Sequence, residues 1–333
     1  MSDEGDRRPH PYTPPPTVVF PPAPPPATIL SATARQGKNT PLSMFGVLGM
    51  VIAFVLAVAL LGRPDLFDGR TAVAGSAVAP DGLAAAPVTA GEAPAPKAPV
   101  KPRAVLELET NPLLAAGIGL PEVTCKLPGM SRDPEQLRAY YQAVITCLDQ
   151  AWQPALAQAN EPFSSPKLEI EAGRSMCGDA PSEDEATAYY CSGGRVIFMP
   201  TDRLLSQAGL SQAAHLAVLA HEYGHHVQAL SGILNAAYEK GEEFDKETPE
   251  RLEITRRTEL QANCFSGMFI ASIAGRGSVS AKLARSAADS FRDTVADDTH
   301  GSVKHQVQWG RAGYDKNQTS ACNTWLAPDS EVS

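Results

Sequence analysis

Four histidines and a glutamate interrupt an otherwise Ala/Leu-rich stretch, "HLAVLAHEYGHHVQALSG", from His215 to Gly232. His221 and His225 are four residues apart, so on a helix they project from one face, one turn apart. Two imidazoles so placed can bind one tetrahedral Zn2+. Glu222 points beside such a metal rather than into it, where a carboxylate can take a proton from an activated water. This is the HExxH arrangement, and the chemistry it predicts is metal-assisted hydrolysis. His226 lies about 100° around the helix from His225 and is assigned to packing or hydrogen bonding. His215 falls on another face and is assigned no role.

Two histidines leave zinc one short of the three protein ligands that a catalytic site needs. The segment "TPERLEITRRTELQANCFSGMFIASIAG", which starts at Thr248, offers Glu259 as the third ligand. Asn263 follows four residues later on the same face, where it can hold one histidine ring. Glu253 is the alternative ligand, and either glutamate also fits a solvated surface charge.

The elements that must position these groups are legible from period and caps. Leu216, Leu219, Ala220, Tyr223, Val227 and Leu230 recur at helical spacing between a cap candidate, Ser211, and a stop, Gly232. Thr248 and Pro249 open the second helix, with Gly275 near its end, and Asp133 with Pro134 opens an earlier one. That earlier helix carries Leu137, Tyr140, Tyr141, Val144, Leu148 and Trp152, a core-facing stripe. "KLEIEA" at 167–172 reads as a strand. "AYYCSGGRVIFMP" at 188–200 reads as a hairpin turning at Ser192, Gly193 and Gly194.

The rest of the chain divides by composition. Residues 1–41 hold ten prolines before Thr28 and form a disordered or polyproline tail, whose "PPPTVVFPPAPPP" could recruit a cytoplasmic partner. Residues 42–62, "LSMFGVLGMVIAFVLAVALLG", carry no charge over 21 positions and read as a single transmembrane helix. A cleavable signal ending at "AVA", Ala72 to Ala74, is the alternative. Residues 63–104 are an Ala/Pro-rich tether, and the folded ectodomain runs over 105–333. The net charge of −9 argues against a nucleic acid partner.

Cys125, Cys147, Cys177, Cys191, Cys264 and Cys322 make an even set without CxxC spacing, which points to three disulfides in an oxidising compartment rather than to buried free thiols. Basic residues flank the apolar span almost evenly, so the cysteines set the topology: N-terminus cytoplasmic, C-terminal domain extracytoplasmic, in the cell membrane.

"HEYGHHVQ", then "ELQANCFSG" at 259–267, then "HGSVKHQVQWGRAGY" at 300–314 resemble, in that order, the neutral zinc metallopeptidase family of bacterial envelope proteins. The likeness runs from Cys125 to Trp325 and leaves out the tail and tether. It implies an α+β, zincin-like minimal metalloprotease domain of the glutamate-ligand branch, in which a small mixed sheet sits beside the active-site helices. His221, His225 and Glu259 would then ligate Zn2+, Glu222 would be the general base, and His300 would stabilise the oxyanion. "RVIFM" at 195–199 would be the edge strand that aligns a protein or peptide substrate. The implied disulfides are Cys125 with Cys147, Cys177 with Cys191, and Cys264 with Cys322. The family usually carries aspartate where this chain has Asn263, and the lost charge implies a less basic histidine and a weaker metal site.

The function expected is therefore a zinc-dependent endopeptidase of the cell envelope. The rival is a weak or inactive zinc-binding envelope protein that acts as a binding module.

Overall fold

Asp133 accepts the Gln136 amide and Pro134 fills the first turn, so α1 begins where the sequence expects and runs Pro134–Gln158. Its stripe of Leu137, Tyr140, Tyr141, Val144, Leu148 and Trp152 is buried. The computed structural model describes residues 101–333 apart from Asp184 and 294–296. Among these are seven α-helices and one small three-stranded sheet, a mixed α+β architecture. None of the described helices is long and apolar enough to cross a membrane. The tail, the expected span at 42–62 and nearly all of the tether lie outside the described residues. Backbone pairing of the folded part starts just before the expected boundary, where the Arg103 amide donates to the Asn160 carbonyl.

The sheet comprises β1 (Lys167–Glu169), β2 (Tyr189–Cys191) and β3 (Val196–Phe198) in the order β1-β3-β2. β1 runs parallel to β3, pairing Leu168 with Ile197. β2 runs antiparallel to β3, pairing Tyr190 with Ile197. The expected hairpin is therefore present, but two expectations need correction. β1 stops at Glu169 because the Ile170 carbonyl is taken by the Thr201 amide at the head of the next helix. β3 is not an edge strand: β1 and β2 occupy its two sides, so the segment 195–199 has no free ladder to offer.

α2 (Thr201–Ala208) leads into α3 (Gln212–Ser231), capped by Ser211 and ended by Gly232 in the left-handed region. α4 (Ile233–Gly241) follows, then α5 (Pro249–Ile273) with Thr248 as its cap, α6 (Ala281–Asp289) and α7 (Val303–Lys316). α3 is buried nearly all round, packed by α1, α5, α6, β2 and β3. α5 lies against both α3 and α7. Close approach is permitted by glycine, since a Cβ on Gly313 of α7 would run into the Cys264 carbonyl of α5.

Three disulfides join Cys125 to Cys147, Cys177 to Cys191 and Cys264 to Cys322. They tie the entry segment to α1, a surface loop to β2, and the C-terminal segment to α5. Among the described residues no cysteine is free.

Candidate metal centre

Helical period places His221 and His225 on one side of α3 and Glu259 and Asn263 on one side of α5. Packing then brings the two sides together. The helices cross where Gly224 of α3 meets Ala262 of α5, and a Cβ on Gly224 would sit 3.0 Å from the Ala262 Cα and carbonyl oxygen. Even an alanine there would press on the α5 backbone, which would have to give by a few tenths of an ångström.

At this crossing the Nε2 atoms of His221 and His225 are 3.1 Å apart, and each lies 3.2 Å from Glu259 Oε2. A tetrahedral zinc with bonds of about 2.0–2.1 Å spaces its ligand atoms by about 3.3 Å, so this triangle is the right size. The donor set agrees. His221 Nδ1 is 2.8 Å from Asn263 Oδ1, and His225 Nδ1 is 2.9 Å from Gln228 Oε1. An amide oxygen only accepts, so each Nδ1 carries a proton, and in the neutral ring each Nε2 is the lone pair. With both rings neutral, two lone pairs and a carboxylate oxygen converge in a buried volume, a donor set that a metal cation can join and that a proton shared by His225 and Glu259 holds together without one. His221, His225 and Glu259 are thus the group among the described residues that can hold a metal ion. Glu253, the alternative from sequence, is turned away and pairs with Arg257 at 2.8 Å.

Electrostatics in the metal-free chain follow the same geometry. Burial works against charge on His225, but Glu259 overrides it and raises the imidazole to about 9. Burial would likewise raise Glu259, yet His225 and His221 hold it well below the usual carboxylate range. For His221 burial wins, and its pKa is lowered. Glu222 is fully buried and neither of its oxygens has a hydrogen-bond partner. Burial pushes its carboxyl up to about 8, a shift that a divalent cation alongside would reverse.

His300 reaches the same cluster from the loop before α7, its Nε2 3.6 Å from Glu259 Oε2 and without a hydrogen-bond partner. Its Nδ1 lies 2.9 Å from Asp297 Oδ2. Burial opposes charge on His300, but Asp297 outweighs it and raises the pKa. Asp297 itself is held at about 2, the His300 contact overcoming its partial burial. Asp297 and Gln228 are site residues that sequence reading passed over. Their only sequence signal is position, an acid three residues before a motif histidine and a glutamine three residues after His225.

The two remaining histidines of α3 are structural. His215 accepts from the Tyr141 hydroxyl at 2.6 Å and donates to the Gly209 carbonyl at 3.0 Å. His226 accepts from the Tyr190 hydroxyl at 2.9 Å and donates to the Ser164 carbonyl at 2.7 Å. Burial lowers both, His226 to about 4.

A family model described as "Putative neutral zinc metallopeptidase" matches residues 124–325, more than half of the chain. The chain belongs to that family. The family's description names a hydrolase and implies zinc, in keeping with a His/His/Glu group of the right size. Two relatives are similar to the chain over more than half of its length. The uncharacterized protein Rv2575 of Mycobacterium tuberculosis is 28% identical over 211 residues, spanning 55% of this chain and 68% of the relative. The uncharacterized protein YpfJ of Escherichia coli K12 is 24% identical over 217 residues, spanning 59% of this chain and 74% of the relative. No solved structure gives a significant match.

Proposed function

We propose that this metallopeptidase hydrolyses peptide bonds with a zinc ion held by His221, His225 and Glu259 and with Glu222 as general base. The observation that carries the reading is the triangle of Nε2, Nε2 and carboxylate oxygen, 3.1–3.2 Å on a side, beside a buried carboxyl that bonds to nothing else. Zinc there supplies a Lewis acid that acidifies water and polarises a carbonyl.

The protein supplies the rest. Glu222 takes the proton of the attacking water and returns it to the leaving amine. His300, braced through Nδ1 by Asp297, donates from Nε2 to the carbonyl oxygen as charge develops on it. With β3 paired on both sides, a substrate ladder falls to one of the outer strands, β1, which is exposed, or β2, which packs on α3 through Tyr190.

The same reading anchors the enzyme to the cell membrane through residues 42–62, with the proline-rich tail in the cytoplasm and the catalytic domain outside. The uncharged 21-residue stretch and the three disulfides support this placement. Accessibility of the folded domain to protease added outside intact cells checks it.

The decisive assay measures bound zinc and cleavage of casein or a peptide library by the oxidised protein and by Glu222→Gln. Stoichiometric zinc with cleavage that vanishes in Glu222→Gln supports the proposal. Stoichiometric zinc with no Glu222-dependent cleavage returns the protein to the binding-module reading, which Asn263, a neutral amide on His221, favours.

A further inference from the structure

Gln261, the glutamine of "ELQANCFSG", has no part in the site described above, yet it is fully buried and touches Gln228, which is also fully buried. Gln228 Nε2 donates to Gln261 Oε1 at 3.0 Å and to the Thr258 carbonyl at 2.8 Å. Gln261 Nε2 donates to the Cys322 carbonyl at 3.1 Å. At the other end, Gln228 Oε1 faces His225 Nδ1 at 2.9 Å.

Each link has only one possible direction. A backbone carbonyl can only accept, so the Cys322 oxygen requires the NH2 of Gln261 and turns the oxygen of that side chain toward Gln228. That oxygen and the Thr258 carbonyl both require the NH2 of Gln228, so the Gln228 oxygen must point at His225. His225 must then donate from Nδ1, and in the neutral ring its Nε2 is the lone pair that a metal takes. The anchor is itself fixed, because Cys322 is bonded through sulfur to Cys264 on the helix that carries Glu259. Reversing any single amide would set two oxygens against each other in a buried space, which costs more than a lost hydrogen bond.

We infer that Gln228 and Gln261 are positioning residues that hold His225 in its metal-binding tautomer, through a directional hydrogen-bond chain anchored on the Cys322 carbonyl. The inference rests on His225 being a zinc ligand. Gln261 touches no ligand, so any effect it has on the metal travels through Gln228. Outer partners of metal-bound histidines change metal affinity by roughly 10- to 100-fold when removed.

The test uses the full chain, purified with its disulfides intact. It reads the zinc dissociation constant by chelator competition and the visible spectrum of the Co2+-substituted protein. Gln228→Met and Gln261→Met keep side-chain length and remove the amide; each should weaken zinc by roughly 10- to 100-fold and alter the Co2+ spectrum. Tyr141→Phe removes a buried hydrogen bond to a histidine on the same helix, away from the metal, and should leave both readings native. If Gln228→Met fails to fold, Gln261→Met against Tyr141→Phe carries the test alone. Native zinc affinity and a native spectrum in Gln261→Met overturn the inference, as does an equal loss in Tyr141→Phe. His225→Ala separates the two readings. If it keeps stoichiometric zinc, the ligand assignment fails; if it loses zinc while Gln261→Met binds normally, only the chain fails.

Discussion

The two pairs of histidines on α3 differ in what is done with their nitrogens rather than in where they sit. All four are buried on one helix. His215 and His226 each accept a tyrosine hydroxyl at Nδ1 and donate from Nε2 to a backbone carbonyl, so both nitrogens are spent. His221 and His225 are turned the other way, donating from Nδ1 to a side-chain amide and aiming Nε2 at Glu259. Burial alone is therefore no mark of a ligand, and the unspent nitrogen is.

The largest test of this contrast exchanges a member of each pair. His225→Ala is expected to lose stoichiometric zinc and all hydrolysis, while His226→Ala keeps its zinc, measured by metal analysis after gel filtration. Glu222→Gln sharpens the same point from the neighbouring position: zinc stays, and turnover falls by about 10²- to 10⁴-fold in a peptide assay.

The structural pair should reveal itself in stability. His226→Phe strands the Tyr190 hydroxyl and the Ser164 carbonyl, and urea unfolding of the zinc-loaded protein should show a loss of about 3 kcal/mol. His215 predicts a pH signature. Burial lowers its folded pKa below the ordinary value of 6.5, so between those two values the unfolded chain binds the extra proton. Its contribution is complete above pH 6.5 and is lost as pH falls through the folded pKa. His215→Gln should therefore flatten the acid limb of the stability profile relative to the parent chain. An unchanged slope would falsify the assignment of His215 as a buried neutral group.

The smallest effect concerns the His221 and His225 pair itself. Asn263→Asp would place a carboxylate on His221 Nδ1 and raise its basicity, and zinc should bind about tenfold more tightly in chelator competition. Equal affinity would mean that the amide already holds the ring as well as a charge does.

Much of the centre was legible before any fold was known. His221, Glu222 and His225 follow from helical spacing, and Ser211, Gly232, Thr248 and Pro249 mark helix ends that the structure reproduces within a residue or two. The hairpin of β2 and β3 was legible from its turn residues, but the strand on the far side of β3 was not. "KLEIEA" says nothing about which neighbour it will join, and that choice removed β3 from the sheet edge. Asp297 and Gln228 were overlooked because a single acid or amide has no pattern until its partner is in place.

By itself the sequence determined what is local: the period that puts two imidazoles on one face of α3, the caps that bound the helices, and the even set of cysteines. These properties depend on neighbours within a few residues, where backbone geometry leaves little freedom. Only the tertiary structure decided which glutamate completes the triangle, which histidines spend both nitrogens, and which strand is left at an edge. Those outcomes depend on groups tens of residues apart meeting at hydrogen-bond distance. They were settled where Gly224 lets α5 approach α3 and where the Cys264 disulfide fixes the carbonyl of Cys322.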